Sequence, residues 1–86
     1  MPKTKIGAQD DAAKQVLISN IKYEMDLRGY KKSDLRKVLG LSDPAINQRF
    51  KDPKWFRVGE LLLIARWLRI PFSNLFIKRV ADKISA

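Results

Sequence analysis

The segment from Lys32 to Phe50 constrains the fold of this chain more than any other. Its sequence, KSDLRKVLGLSDPAINQRF, contains two short amphipathic stretches that meet at Gly40. Apolar residues recur at helical spacing in both stretches: Leu35, Val38 and Leu39, then Ile46 and Phe50. Glycine readily adopts the left-handed conformation that ends a helix, and Ser42 can cap the next one. The segment therefore predicts two short helices joined by a tight turn.

Two helices in this arrangement are typical of a helix-turn-helix, whose second helix enters the major groove of DNA. The charge of the chain agrees with such a partner. Its 86 residues include 18 Lys and Arg against 9 Asp and Glu, a net charge of +9. This exceeds the roughly 2–8 charges that keep a small domain soluble, and a domain this basic usually binds a polyanion. The sequence therefore predicts that the partner is nucleic acid.

The residue types that carry most enzyme chemistry are missing. The chain has no Cys and no His, which excludes disulfides, zinc fingers, thiolate nucleophiles and the usual general base. The acidic residues are scattered along the sequence. We therefore expect no enzymatic activity, no metal, no cofactor and no small-molecule ligand. No apolar run has the length of a membrane span, so we expect a cytoplasmic, nucleoid-associated protein.

The remaining sequence predicts further helices in a single domain. We expect a flexible basic arm over residues 1–9 and one domain over residues 10–86. The expected helices are Ala12–Arg28, Lys32–Leu39, Pro44–Phe50, Val58–Arg69 and about 73–85. A buried stripe steps by four residues along the first helix: Ala13, Leu17, Ile21 and Met25. The fourth helix is apolar nearly all round, as in a helix central to a core or shared with a partner chain. The predicted class is all-α, with five helices.

The order and spacing of these elements resemble the phage repressor and Cro family of helix-turn-helix proteins, also called the XRE type. The resemblance covers Ile18 to Phe76 and is carried by GYKKSDLRKVLGLSDPAINQ and VGELLLIARWLRIPFSNLF. The matching positions are Leu35, Gly40, Ser42, Ile46, Ala65 and Leu68. The resemblance implies the lambda-repressor-like fold in a transcriptional regulator. Such a protein is expected to bind double-stranded DNA as a homodimer and to act as a repressor.

The resemblance also implies which residues contact DNA. Base reading is expected from the start of the second motif helix: Asp43, Pro44, Ala45, Asn47 and Gln48. Phosphate contacts are expected on both sides of the motif: Lys31, Lys32, Ser42, Lys51, Lys54 and Arg57. A dimer interface is expected from Trp67, Phe76, Ile77, Val80 and Ile84. Gln48 is the best base reader, because its amide can bond both N6 and N7 of adenine. For Ser42, the sequence favours capping the helix over contacting a phosphate.

Three departures from the family concern packing. Met25 and Phe50 stand where many members have an Arg–Glu ion pair, so an apolar contact is expected instead. Arg36 stands where the family prefers Ala between the two motif helices, and its side chain can extend outward. Arg49 occupies a position that is commonly aliphatic, and Phe50 can take over that packing.

A fourth departure lies at the base-reading tip. Pro44 disfavours helical backbone in the residue before it, so Asp43 is expected to be the N-cap and Pro44 the first helical residue. A carboxylate is repelled by phosphate, but it can accept a hydrogen bond from cytosine N4. The sequence therefore predicts weaker sequence-specific reading at this end of the helix.

Two other functions fit parts of the sequence. Arg36, Asp43, Pro44 and Arg49 are compatible with a protein-interaction module on the same fold, of antirepressor or antitoxin type, with weak or no specific DNA binding. Trp55 and Phe56, set among basic residues, are compatible with binding of RNA or single strands by stacking. The same two aromatic residues precede an apolar helix and are expected to close the core.

Overall fold

Four α-helices and two 3-10 turns make up the part of the chain that the structure describes. The computed structural model describes the backbone of residues 2–78 and the side chains of residues 12–78. The α-helices are α1 (Pro2–Arg28), α2 (Lys32–Leu39), α3 (Asp43–Lys51) and α4 (Val58–Leu68). The 3-10 turns are Pro53–Trp55 and Phe72–Phe76. No strand occurs within these residues, so the predicted all-α class is confirmed for them.

The first helix begins earlier in the chain than the sequence predicted. We expected an arm over residues 1–9 and a helix from Ala12, whereas the backbone is helical from Pro2. Proline suits the first helical position, because its missing N–H would have no helical partner there. Several residues that follow it are good helix formers: Lys3, Lys5, Ala8 and Gln9. The helix ends at Arg28 as predicted, and Gly29 follows with a left-handed φ of 70°.

The core lies where all four α-helices meet the Phe72–Phe76 turn. Its buried residues are Leu17, Ile21, Met25, Leu35, Ile46, Leu61, Ile64, Ala65, Leu68 and Leu75. From the predicted α1 stripe, Ala13 is exposed, and the other three residues are buried. Leu35 of α2 and Ile46 of α3 are fully buried in this one cluster. Burial of both side chains therefore fixes α2 and α3 relative to α1 and α4.

The predicted last helix over residues 73–85 is wrong for the residues that the structure describes. A 3-10 turn covers Phe72–Phe76, and Ile77 is extended, with φ −94° and ψ 124°. The cause is Asn20 of α1, whose buried Nδ2 donates to the carbonyl oxygens of Asn74 (3.2 Å), Leu75 (2.9 Å) and Ile77 (2.9 Å). An α-helix would need these carbonyls as its own acceptors. Residues 79–86, which include Val80 and Ile84, lie outside the described residues.

Candidate nucleic-acid interface

The third helix has one exposed face and one buried face. Its exposed residues recur at helical spacing: Asp43, Pro44, Asn47, Gln48 and Lys51. Ile46 and Arg49 are buried on the opposite side, and Phe50 packs against the core cluster. Four of the five predicted base readers therefore share one accessible surface. The fifth, Ala45, is half-buried, and its carbonyl oxygen accepts a hydrogen bond from Arg49 Nη1 at 3.2 Å.

Ser42, rather than Asp43, caps this helix. The backbone of Ser42 is extended, and its Oγ accepts a hydrogen bond from the Ala45 N–H at 3.4 Å. Asp43 is the first helical residue and Pro44 the second, so the predicted cap was wrong by one position. Pro44 is tolerated there because the first N–H groups of a helix lack helical acceptors. Asp43 gains from the positive end of the helix dipole. Capping is thus the role of Ser42 that the structure contains.

An ion pair joins α2 to the start of α3. Arg36 Nε lies 3.0 Å from Asp43 Oδ1, although without the angle that a hydrogen bond requires, so the attraction is Coulombic. The side chain of Arg36 is part-exposed, and its Nε is buried. Arg36 and Asp43 therefore compensate each other's charge. The negative charge at the start of α3 is balanced by a positive charge beside it.

A second polar link joins the same two helices one turn along. Lys32 Nζ donates a hydrogen bond to Asn47 Oδ1 at 3.0 Å and also lies 5.5 Å from the centre of the Phe50 ring. Lys32 and Arg36 are four residues apart on α2, and their partners Asn47 and Asp43 are four residues apart on α3. The two cations of α2 therefore line the exposed face of α3, which places positive charge beside its polar side chains.

Behind the exposed face, a buried ion pair attaches α3 to α4. Arg49 donates from Nε to Glu60 Oε1 at 3.0 Å and from Nη2 to Oε2 at 3.1 Å. Glu60 Oε1 also accepts from the Arg57 N–H at 3.1 Å, which caps α4. Burial alone would raise the pKa of Glu60, but the hydrogen bonds and charge of Arg49 and the Arg57 N–H lower it below its usual value. The expectation that Phe50 would replace an aliphatic residue at position 49 was incomplete, since Arg49 itself is buried.

The predicted phosphate-binding cations are exposed on both sides of α3. Lys31 and Lys32 begin α2, Lys51 ends α3, and Arg57 precedes α4. Lys54 belongs to the Pro53–Trp55 turn, where its Nζ lies 3.6 Å from Asp52 Oδ2 and 5.5 Å from the centre of the Trp55 ring. Its charge is therefore partly compensated within the fold. Lys31, Lys51 and Arg57 make no side-chain ion pair within the described residues.

The aromatic residues divide between the core and the surface. Phe56 packs on the core and lies 6.4 Å from the Phe50 ring, as expected for a residue that closes the core. Trp55 is 49% exposed, so the same expectation was wrong for Trp55. Trp67, predicted for a dimer interface, is half-buried and stacks on Tyr30 with ring centres 4.5 Å apart.

Of the other residues predicted for a dimer interface, Phe76 and Ile77 are exposed. Further exposed apolar side chains lie on α4, which the sequence predicted to be apolar nearly all round: Val58, Leu62 and Leu63. No helix among the described residues is long and apolar enough to cross a lipid bilayer.

Sequence reasoning missed the polar pairs that join the helices at the candidate interface. The Arg36–Asp43 and Lys32–Asn47 contacts link residues on different helices, and no local spacing rule pairs them. Glu60 stands three residues after Arg57, the spacing of a capping box, but Arg57 is not the Ser or Thr that marks this motif.

Comparison with protein-family models, with curated proteins and with solved structures finds no match for this chain.

Proposed function

We propose that this chain is a sequence-specific transcriptional regulator of double-stranded DNA, acting as a repressor by occupying its operator. In this proposal α2 and α3 are a lambda-repressor-like helix-turn-helix, and α3 enters the major groove. One observation carries the proposal: the exposed face of α3 combines polar side chains with flanking cations and is backed by a rigid core. Side chains able to read bases and charges able to bind phosphate occur together on one surface.

Each group of residues has a separate role in this proposal. Gln48 faces solvent, and its side chain makes no hydrogen bond to the described residues, so its amide is free to pair with adenine N6 and N7. Asn47 gives its oxygen to Lys32, which leaves its NH₂ group for a base or phosphate acceptor. Lys31, Lys51 and Arg57 would contact the phosphate backbone on either side of the groove.

A homodimer would extend this contact to two half-sites. In such a dimer, a second copy would cover the exposed apolar side chains of α4 and those of Phe76 and Ile77. A two-fold dimer places its two α3 helices about 34 Å apart, one turn of DNA, and so reads an inverted repeat. Under the same proposal, the protein would be cytoplasmic and would occupy its operator at the nucleoid.

The decisive experiment is a selection from random DNA duplexes at physiological salt with the full chain. We expect an enriched inverted-repeat motif, because α3 offers several base-specific side chains and a dimer would read two half-sites. If the chain enriches no motif, the proposal is wrong. Retained salt-sensitive binding without a motif would indicate a non-specific DNA-binding protein, and no binding would favour the protein-interaction module.

Variants separate base reading from phosphate binding. Gln48→Ala should change the preferred base at one position, whereas Lys51→Ala should weaken binding to all duplexes alike. Lys51→Ala should also lower the slope of log K against log salt by about 1, because one phosphate contact is lost. Lys78→Ala is the matched control, since Lys78 is exposed and lines a surface groove with residues of α1 and with none of α2 or α3. Equal effects of Lys51→Ala and Lys78→Ala would contradict the assigned phosphate contact.

A further inference from the structure

The start of α3 carries a feature that general DNA affinity does not require. Asp43 is the sole acidic residue in α3, and its side chain is 76% exposed on the face that carries Asn47 and Gln48. A carboxylate here opposes phosphate binding, and Ser42 already caps the helix. The helix therefore gains no cap from Asp43, and the carboxylate, besides its interactions with the helix dipole and Arg36, is exposed enough to contact a partner.

Arg36 limits where this carboxylate can point. Its Nε lies 3.0 Å from Asp43 Oδ1, and its own helix is anchored through the fully buried Leu35. Ile46 anchors α3 in the same cluster, so both ends of the ion pair belong to fixed helices. A carboxylate offers about four lone-pair positions, and contact with Arg36 leaves most of them available. The Asp43 carboxylate is thus both oriented and able to accept a hydrogen bond.

The chemistry of the major groove selects one base for such a group. Guanine and thymine present acceptors there, which a carboxylate repels. Adenine presents its N6 donor beside its own N7 acceptor, whereas cytosine presents its N4 amino group and no acceptor of its own. An ionised, acceptor-only side chain therefore favours cytosine over the other three bases.

We propose that Asp43 reads a cytosine in each half-site by accepting a hydrogen bond from its N4 amino group, and that Arg36 is the positioning residue for this contact. The inference rests on the proposed function and adds the base that the start of α3 selects. It also accounts for both unusual residues at the junction of α2 and α3. Arg36 compensates the charge that Asp43 brings near phosphate, and it holds the carboxylate toward the groove.

The test begins with the motif that the wild-type chain selects from random duplexes. Affinities are then measured by fluorescence anisotropy, at constant salt, for the selected duplex and for duplexes carrying the other bases at each position. In the wild-type chain we expect one position per half-site where cytosine is preferred by roughly tenfold or more. Asp43→Ala should abolish that preference and leave the preferences at other positions unchanged.

Two further variants distinguish base reading by Asp43 from a general effect of charge and from an effect on folding. Asp26→Ala, on an exposed site of α1, removes the same charge and should leave the cytosine preference intact. Arg36→Gln should reduce the preference at the cytosine position alone, with a melting temperature close to that of the wild-type chain. In the Asp43→Ala background, Arg36→Gln should change the base preference no further, because Arg36 acts through Asp43.

The outcomes distinguish this inference from the function on which it rests. If the wild-type chain selects no motif, both are overturned. A clear motif that Asp43→Ala leaves unchanged overturns the cytosine contact alone and keeps the regulator. A preference lost in Asp43→Ala but kept in Arg36→Gln overturns the positioning role of Arg36.

Discussion

At the scale of single residues, the ion pair between Arg49 and Glu60 links α3 to α4 behind the exposed face of α3. Both side chains are only about one-tenth exposed, and two hydrogen bonds join them. A buried charge whose partner is removed costs far more than the pair contributes, because the remaining charge has lost both water and its counter-ion. Arg49 is therefore required mainly because Glu60 is buried beside it.

We expect Arg49→Ala to lower the free energy of unfolding by about 3 kcal/mol, since it leaves Glu60 without its counter-ion. The double variant Arg49→Met, Glu60→Leu should recover most of this loss. It should remain about 1 kcal/mol less stable than wild type, because the Arg57 N–H no longer has the Glu60 carboxylate as its acceptor. Urea denaturation followed by helical circular dichroism measures both values. Lys51→Ala, two residues along α3 on its exposed face, is the control and should stay within about 0.5 kcal/mol of wild type. A double variant no more stable than Arg49→Ala would contradict this account.

At the scale of elements, the helix ends show which local signals in the sequence are dependable. Gly40 ends α2 with a left-handed φ of 67°, and its N–H and that of Leu41 bond back to Lys37 and Arg36 carbonyls. This was predictable, because glycine is the residue that adopts such a conformation without strain. Arg69 ends α4 in the same conformation, with φ 59°, and no sequence rule identifies an Arg in that role.

Two glycine substitutions should therefore have opposite effects. Gly40→Ala should destabilise the fold by about 1 kcal/mol, because a left-handed φ is strained in alanine even though its Cβ would meet no atom within 4 Å. Gly59→Ala should stabilise it by about 0.5 kcal/mol, because Gly59 lies inside α4 with space for a Cβ and has no left-handed φ. Thermal unfolding of the two variants against wild type measures both. The reasoning fails if the two changes shift the midpoint in the same direction.

At the scale of the whole molecule, carboxylates connect elements that are distant in sequence. Asp52 lies 3.4 Å from Lys14 of α1 and also caps the Pro53–Trp55 turn, and Glu60 joins α3 to α4. Desolvation would raise the pKa of Asp52, but the Lys54 N–H and the charges of Lys14 and Lys54 lower it. The pKa of Glu60 is likewise lowered, as described above. Ionised carboxylates thus link separate elements of a strongly basic chain through ion pairs and hydrogen bonds.

The fold should consequently lose stability in acid. A folded pKa below the unfolded value means that the stabilisation is fully present above the ordinary pKa, 4.5 for Glu60 and 3.8 for Asp52, and is lost as pH falls through the folded value. Protonation also raises the net charge above +9 and adds self-repulsion. Melting temperature measured from about pH 7 to about pH 3 should fall most steeply below pH 4.5. In Glu60→Gln the fall should be shallower, and an unchanged slope would contradict the role of Glu60.

The sequence by itself determined the all-α class, α2 and the end of α1, because these depend on apolar periodicity and on glycine, which act within a few residues. It also predicted the exposure of Asp43, Pro44, Asn47 and Gln48 on α3, since Ile46 and Phe50 orient that helix, but it did not predict the burial of Arg49. The tertiary structure alone decided the polar contacts of the candidate interface: Arg36 with Asp43, Lys32 with Asn47, and Arg49 with Glu60.

The tertiary structure also decided that the described segment after Pro71 is not an α-helix. Asn20, more than fifty residues earlier, donates hydrogen bonds to carbonyl oxygens of this segment. Polar pairing across helices depends on distance in space, and a helical period carries no information about it. The physical reason lies in which residues interact. Burial of one face sets the apolar period along a single helix, which the sequence shows directly. Ion pairs and hydrogen bonds between helices form only after the core has brought the helices together.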